Sequence, residues 1–171
     1  MGVALAVGIG AWDYVRPERA APPGSGVVDH VADGDTIVRG GGATVRLVQI
    51  DTPEVYFSPE CFGEQASAET KELLRPGTFV RLVRDPATSS TDVYGRLLRY
   101  VIRRDGLNVN LRLVADGAAA PYFFDGARGR YAAVLMREAN AARASRKGLW
   151  RECPGTSLDP ARGVDTGPPD G

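Results

Sequence analysis

The 171-residue sequence holds one histidine, His30, and two cysteines, Cys61 and Cys153. These are too few for a four-ligand zinc site. A Ser-His-Asp or Cys-His mechanism would have to run through His30, and no GxSxG or comparable nucleophile motif accompanies it. A basic surplus is missing too: Lys and Arg number 21, Asp and Glu number 21, and the formal net charge is +0. A general polyanion binder carries a basic excess, so any phosphate chemistry here must rest on a few placed arginines in a local cleft. No apolar run is long enough to span a bilayer. Residues 1–12 are apolar but too short, and they lack the basic start of a secretory signal. They read as the remnant of an export signal or membrane anchor, or as a loose terminus. No internal repeat is present.

Hydrophobic residues make up 43% and charged residues 25%, which suits a packed domain and not a disordered chain. Residues 17–26, which contain Pro22-Pro23-Gly24-Ser25-Gly26, read as a linker, so residues 1–26 form an apolar segment and linker. Residues 154–171 are rich in Gly, Pro and Asp and predict a disordered tail. The folded unit is then 27–153.

Within it, Val27-Val28 leads a strand to Ala32, and Asp33-Gly34 turns into a strand over 36–39. Gly40-Gly41-Gly42 makes a hairpin turn into a longer strand over 44–50. On that strand Val45 and Leu47 share one face, and Arg46, Val48 and Ile50 the other. Phe62, Ala66, Thr70, Leu73 and Leu74 recur at helical spacing until Pro76-Gly77. Strands over 78–83 and 97–102 follow, then a short helix over 107–116 ended by Gly117, and a final helix over 128–146 with a stripe of Tyr131, Val134, Leu135, Ala139 and Ala142, capped by Gly148. Short strands followed by helices indicate an α+β domain on a small barrel.

Three short motifs carry chemistry. Asp33-Gly34-Asp35-Thr36 alone is a turn, Asp51-Thr52-Pro53-Glu54 alone is a helix start, and Asp92-Val93-Tyr94-Gly95-Arg96 alone is a turn with a solvated arginine. Together they say more. If the strands between Asp35 and Asp51 pair about Gly41, both carboxylates meet at one open end, where they repel unless a cation sits between them. A hard cation with oxygen ligands fits: calcium tolerates irregular geometry, and magnesium would keep more water. Arg46 sits in the same hairpin. It either packs its stem and pairs with an acid or aims its guanidinium at phosphate.

These motifs, in this order and spacing, resemble the staphylococcal nuclease, or thermonuclease, family. The resemblance extends through Gly63-Glu64-Gln65-Ala66-Ser67-Ala68, Asp105-Gly106, Val109-Asn110, Leu113-Val114, Gly117 and Gly148-Leu149-Trp150, covering residues 27–150. It implies a five-stranded OB-fold barrel with three helices and a calcium-dependent phosphodiesterase acting on DNA and RNA that leaves 3′-phosphates. It further implies that Asp35, Asp51 and the Thr52 carbonyl hold calcium. Glu54 would orient or deprotonate the attacking water, Arg46 and Arg96 would grip the phosphate, and Tyr94 would lie beside the nucleotide. Tyr122 is the expected second tyrosine. The family's lysine before Tyr94 is Val93 here, which removes one phosphate contact.

Cys61 and Cys153 flank the domain's edges and are expected to form a disulfide. That suits a protein secreted or anchored on the outer side of a membrane; two free thiols in a cytoplasmic protein are the alternative. The expected partner is nucleic acid as substrate, with a monomeric protein. A non-catalytic OB-fold module that binds nucleic acid or protein is the competing reading. No role can be argued for His30.

Overall fold

The computed structural model describes residues 24–169. The expected apolar segment 1–12 and most of the linker lie outside the described residues. Among the described residues seven strands appear: β1 (Ser25–Val31), β2 (Thr36–Arg39), β3 (Thr44–Leu47), β4 (Ile50–Asp51), β5 (Phe79–Val83), β6 (Leu97–Arg103) and β7 (Ala120–Pro121). The helices are α1 (Gly63–Leu73), α2 (Val109–Asp116), α3 (Ala132–Ala144) and the single turn α4 (Leu149–Glu152), with a 3-10 turn at Phe124–Gly126. The strands β1-β2-β3-β6-β5 close into a barrel, and β4 pairs with β7 beside it. All barrel pairs are antiparallel except β3 with β6. This is the α+β barrel with helices that the sequence pattern predicts, with α4 as an added turn.

The alternation of β1, β2 and β3 explains the core. Val28, Ile37, Val45 and Leu47 are buried inside the barrel with Val80 and Val101, and α1, α2 and α3 contribute Ala66, Leu113 and Leu135. Asn108 caps α2 by accepting the Leu111 N–H at 3.3 Å, and Gly117 ends it in the left-handed conformation with φ 78°.

Three expectations need correction. The strand over 44–50 is broken: Val48 and Gln49 form a turn, with Gln49 at φ 64°. That turn changes the side-chain parity, so Ile50 joins Val45 and Leu47 in the core instead of sharing a face with Arg46. Buried Asn110 pins the turn, donating to the Val48 carbonyl at 2.9 Å and accepting the Val101 N–H at 2.9 Å. The final helix begins at Ala132 and ends at Ala144, and Gly148 stands before α4 instead of capping α3.

The third correction is the C-terminal stretch. Residues 154–169 are not a loose tail: Val164 is buried against Trp150, Leu149, Ala142 and Ala120. Backbone bonds do what composition could not reveal. The Phe123 N–H donates to Pro160 O at 2.6 Å, and the Cys61 N–H donates to Gly167 O at 2.8 Å. A disulfide joins Cys61 to Cys153 across a sequence separation of 92.

Candidate active site

The β2–β3 hairpin turns through Gly41 and Gly42, at φ 93° and 81°, which suits residues without a Cβ. Its register sets Thr36 opposite Arg46, and the ladder continues with the Leu47 N–H donating to Asp35 O at 2.8 Å. Asp35 therefore stands at the end of β2, beside Arg46. After the turn at Gln49, β4 brings Asp51 to the same mouth of the barrel.

Arg46 lies between the two carboxylates. Its Nη1 is 2.7 Å from Asp35 Oδ2, and its Nη2 is 2.7 Å from Asp51 Oδ1. Nη1 also donates to the carbonyls of Ile50 at 2.9 Å and Leu47 at 3.2 Å. These contacts all fall on Nη1 and Nη2. A guanidinium has five N–H donors, so the Nε edge stays uncommitted to the described protein acceptors. Burial works against the Arg46 charge, yet Asp35, Asp51 and Asp33 hold its pKa above the usual value.

Asp35 is buried and surrounded. Its Oδ2 accepts the Thr52 N–H at 3.2 Å and the Thr52 hydroxyl at 3.3 Å, and its Oδ1 accepts the Thr36 hydroxyl at 3.1 Å. Burial raises its pKa from 3.8 to about 7, with Asp33 and Asp51 adding to the rise and Arg46 opposing it. The mouth thus holds more negative charge than one guanidinium offsets.

Arg96 enters from the loop before β6. Asp92 aims it, accepting from its Nε at 2.6 Å and its backbone N–H at 2.9 Å. Against the opposing effect of burial, these bonds hold Asp92 below the usual carboxylate range. Arg96 Nη1 reaches the Thr36 hydroxyl oxygen at 3.5 Å, one residue from Asp35. Its guanidinium also lies 5.5 Å from the centre of the exposed Tyr94 ring. The Glu54 carboxyl is raised by partial burial, then by Asp51 and Asp33, while Arg46 and Arg96 pull it down. Asp33, Asp35, Arg46, Asp51, Glu54 and Arg96, from three separate stretches of the chain, therefore share one electrostatic field.

Tyr122 is not brought to this cluster by any contact among the described residues. Its N–H donates to Gln49 O at 3.1 Å, and its ring stands edge-on to Phe124 with centroids 6.3 Å apart.

Three supports were not read from the sequence. Gly34 presses on Thr52, where a Cβ would overlap the threonine hydroxyl. Gly63 at the start of α1 packs on the Glu54 backbone, where a Cβ would stand 3.0 Å from the carbonyl carbon. Thr70, one turn from the end of α1, donates its hydroxyl to Gly34 O at 2.6 Å. Helix α1 thus props both acidic loops. The glycines were visible, but only a close approach in space gives them meaning.

The donor set is all oxygen, which suits calcium or magnesium. Among the described residues no three His, Cys, Asp or Glu side chains gather into a ready cage. Asp35 and Asp51 supply two carboxylates, and the remaining ligands would come from the Thr52 carbonyl and water. Two carboxylates that both reach one guanidinium, with Asp33 close by in sequence, leave room for further positive charge at this mouth.

A family model described as "Staphylococcal nuclease homologue" matches residues 44–152. The chain belongs to the staphylococcal nuclease family. Over 158 residues it is 36% identical to "Endonuclease YhcR" of Bacillus subtilis (strain 168), a match covering 79% of this chain and 12% of that protein. The chain thus spans only a small part of that relative's length. A protein of Escherichia coli O157:H7 named "Uncharacterized endonuclease" is 33% identical over 130 residues, covering 74% of this chain and 77% of its own. "Thermonuclease" of Staphylococcus intermedius is 32% identical over 130 residues, covering 72% and 74% respectively. Residues Arg46, Asp51, Thr52, Glu54, Tyr94 and Arg96 all lie inside the segment matched by the family model of this nuclease family.

Proposed function

We propose that this protein is a calcium-dependent nuclease that hydrolyses phosphodiester bonds of DNA or RNA and leaves 3′-phosphate ends. One observation carries the reading: Arg46 bridges Asp35 and Asp51 at the mouth where Arg96 also points. A fold-only role gives no reason to gather two arginines on one cluster of acids. The names of the relatives, endonuclease and thermonuclease, support the same class.

The Asp35 and Asp51 carboxylates and the Thr52 carbonyl would hold the ion, whose charge supplies Lewis-acid stabilisation and a more acidic water. Arg46 offers its Nε edge to a phosphate oxygen while its inner edge stays on the carboxylates. Arg96 grips a second oxygen, fixed by Asp92. Both guanidiniums meet the charge that grows as water attacks phosphorus. Glu54 orients that water and accepts its proton; its raised pKa brings it nearer to neutrality, where a general base works best. Tyr94 offers an exposed ring to a base or sugar, and Tyr122 serves a more distant part of the strand. The Cys61–Cys153 disulfide supports work in an oxidising compartment, as a monomer secreted or held on the outer face of a membrane.

The test is cleavage of single-stranded DNA with calcium and then with a chelator. Cleavage is expected only with calcium, and Glu54→Gln should slow it about 10²–10⁴-fold without loss of fold. The products should resist polymerase extension until a phosphatase removes the 3′-phosphate. Equal cleavage in both tubes would remove the metal from the reaction. DNA binding without cleavage would return the protein to a non-catalytic binding module.

A further inference from the structure

Cys61 grips both ends of one surface loop. Its sulfur is bonded to Cys153, where the loop begins. At the far end its N–H donates to Gly167 O at 2.8 Å, and its carbonyl accepts the Thr166 hydroxyl at 2.7 Å. Between these anchors the chain turns at Asp159, whose carbonyl accepts the Gly163 N–H at 3.1 Å. The next residue donates its N–H to the mouth: Val164 N–H to Asp51 Oδ2 at 3.0 Å. Gly163 has φ +83°, and a Cβ there would stand 3.2 Å from Asp51 Cγ and overlap Oδ2.

We propose that this cystine-anchored loop, 153–167, is a positioning element that orients the Asp51 carboxylate through the Val164 N–H. The inference rests on the reading of Asp51 as a metal ligand. A carboxylate has about four acceptor directions. Arg46 takes one on Oδ1 and Val164 takes one on Oδ2, so the group is fixed from both sides with acceptor capacity left for a cation. The Val164 side chain is buried beside Cys153 and Trp150, which holds the loop against the domain, while the backbone bonds at Cys61 and Asp159 set where the N–H arrives. Gly163 lets the loop backbone close on the carboxylate. Groups that orient a metal ligand in this way typically hold about 10–100-fold of metal affinity.

The test measures calcium affinity of the full chain by calorimetry without nucleic acid, alongside the melting temperature of the metal-free protein. Val164→Pro removes the N–H, Gly163→Ala fills the approach, and Val164→Ala keeps the N–H while thinning the packing. Val164→Pro and Gly163→Ala are expected to weaken calcium about 10-fold or more. Val164→Ala is expected to melt lower and bind as the parent does. Parent-like calcium binding by Gly163→Ala and by any folded Val164→Pro overturns the proposal, whatever their melting temperatures. So does a Val164→Ala loss equal to that of Val164→Pro, which would assign the effect to packing. A parent chain that binds no calcium overturns the metal reading of Asp51 itself, and the loop's role with it.

Discussion

Gly34 packs so closely on Thr52 that an added Cβ would stand 2.7 Å from the threonine's own Cβ. The two residues belong to loops separated along the chain, and their contact brings Thr52 within hydrogen-bond reach of Asp35. Gly34→Ala should push those loops apart. Overpacking of this kind costs about 1–3 kcal/mol. A displacement of about 1 Å at reacting groups can cost about 10²-fold in rate, so activity should fall further than stability alone explains. Denaturant unfolding and nuclease kinetics on the same preparation check this. Gly41→Ala is the control, because nothing stands within 4 Å of its Cβ position. It should lose some stability from its left-handed backbone and keep its rate.

Arg46 bridges the two acids and, under the proposed function, is also a phosphate ligand. Arg46→Ala leaves the buried Asp35 carboxylate without its 2.7 Å partner. Breaking a buried pair costs about 3–5 kcal/mol, and losing one donor to the developing charge costs about 10²–10³ in rate. Arg46→Lys keeps the charge but cannot span two carboxylates with a rigid fork, so it should recover part of the stability and little of the rate. Calcium should raise the melting temperature of Arg46→Ala more than that of the parent, since the ion then replaces the missing positive charge.

Much of this cluster was legible before any coordinates. A hairpin with glycines at its tip places its two ends together by topology, so Asp35 and Asp51 could be paired on paper. Arg46 declared itself as a charge on an apolar strand. The break at Val48-Gln49 was not legible, because it depends on Asn110 reaching across from α2 to hold the turn. Residues 154–169 misled for a related reason. Their composition is poor in large apolar side chains, and their order comes from backbone hydrogen bonds, one valine and one cystine. Backbone donors are the same in every sequence, so composition cannot report them.

The Asp35 titration gives a pH signature. Its folded-state pKa is raised by burial from 3.8 to about 7, so the folded state holds that proton more tightly than the unfolded chain. This contribution to metal-free stability is full below pH 3.8 and is lost as pH rises through about 7. Calcium binding, under the proposed function, runs the other way. It requires the ionised carboxylate, so affinity should rise about tenfold per pH unit below about 7 and then level off. Calorimetry in buffers of different ionisation enthalpy should detect close to one proton released per ion at the acid end. A calcium affinity flat with pH would show that Asp35 is already ionised there.

The Cys61–Cys153 bridge closes a loop with a sequence separation of 92. Chain-entropy arguments give such a closure about 4–5 kcal/mol. Urea unfolding of the parent with and without reductant should show a loss of that order, and Cys61→Ser with Cys153→Ser together should match the reduced parent. The loss should appear mainly as a lower midpoint. A bridge that is absent would leave the two curves superimposed and the mass of the alkylated protein unchanged by reduction.

Val93 offers a gain-of-function test. It is 91% exposed and stands next to Tyr94 in the loop that Asp92 and Arg96 hold at the mouth. An apolar side chain there contributes nothing to a phosphate backbone, and the chain's zero net charge supplies no general attraction in its place. Val93→Lys adds one cation beside the proposed nucleotide path without touching the acidic cluster. Each phosphate neutralised on a single strand steepens the dependence of log affinity on log salt by about 0.7. The variant should therefore show a lower KM at low salt, a steeper salt slope and an unchanged kcat. An unchanged KM at every salt concentration would mean that the substrate does not pass over this loop, and Tyr94 would lose its assigned role with it.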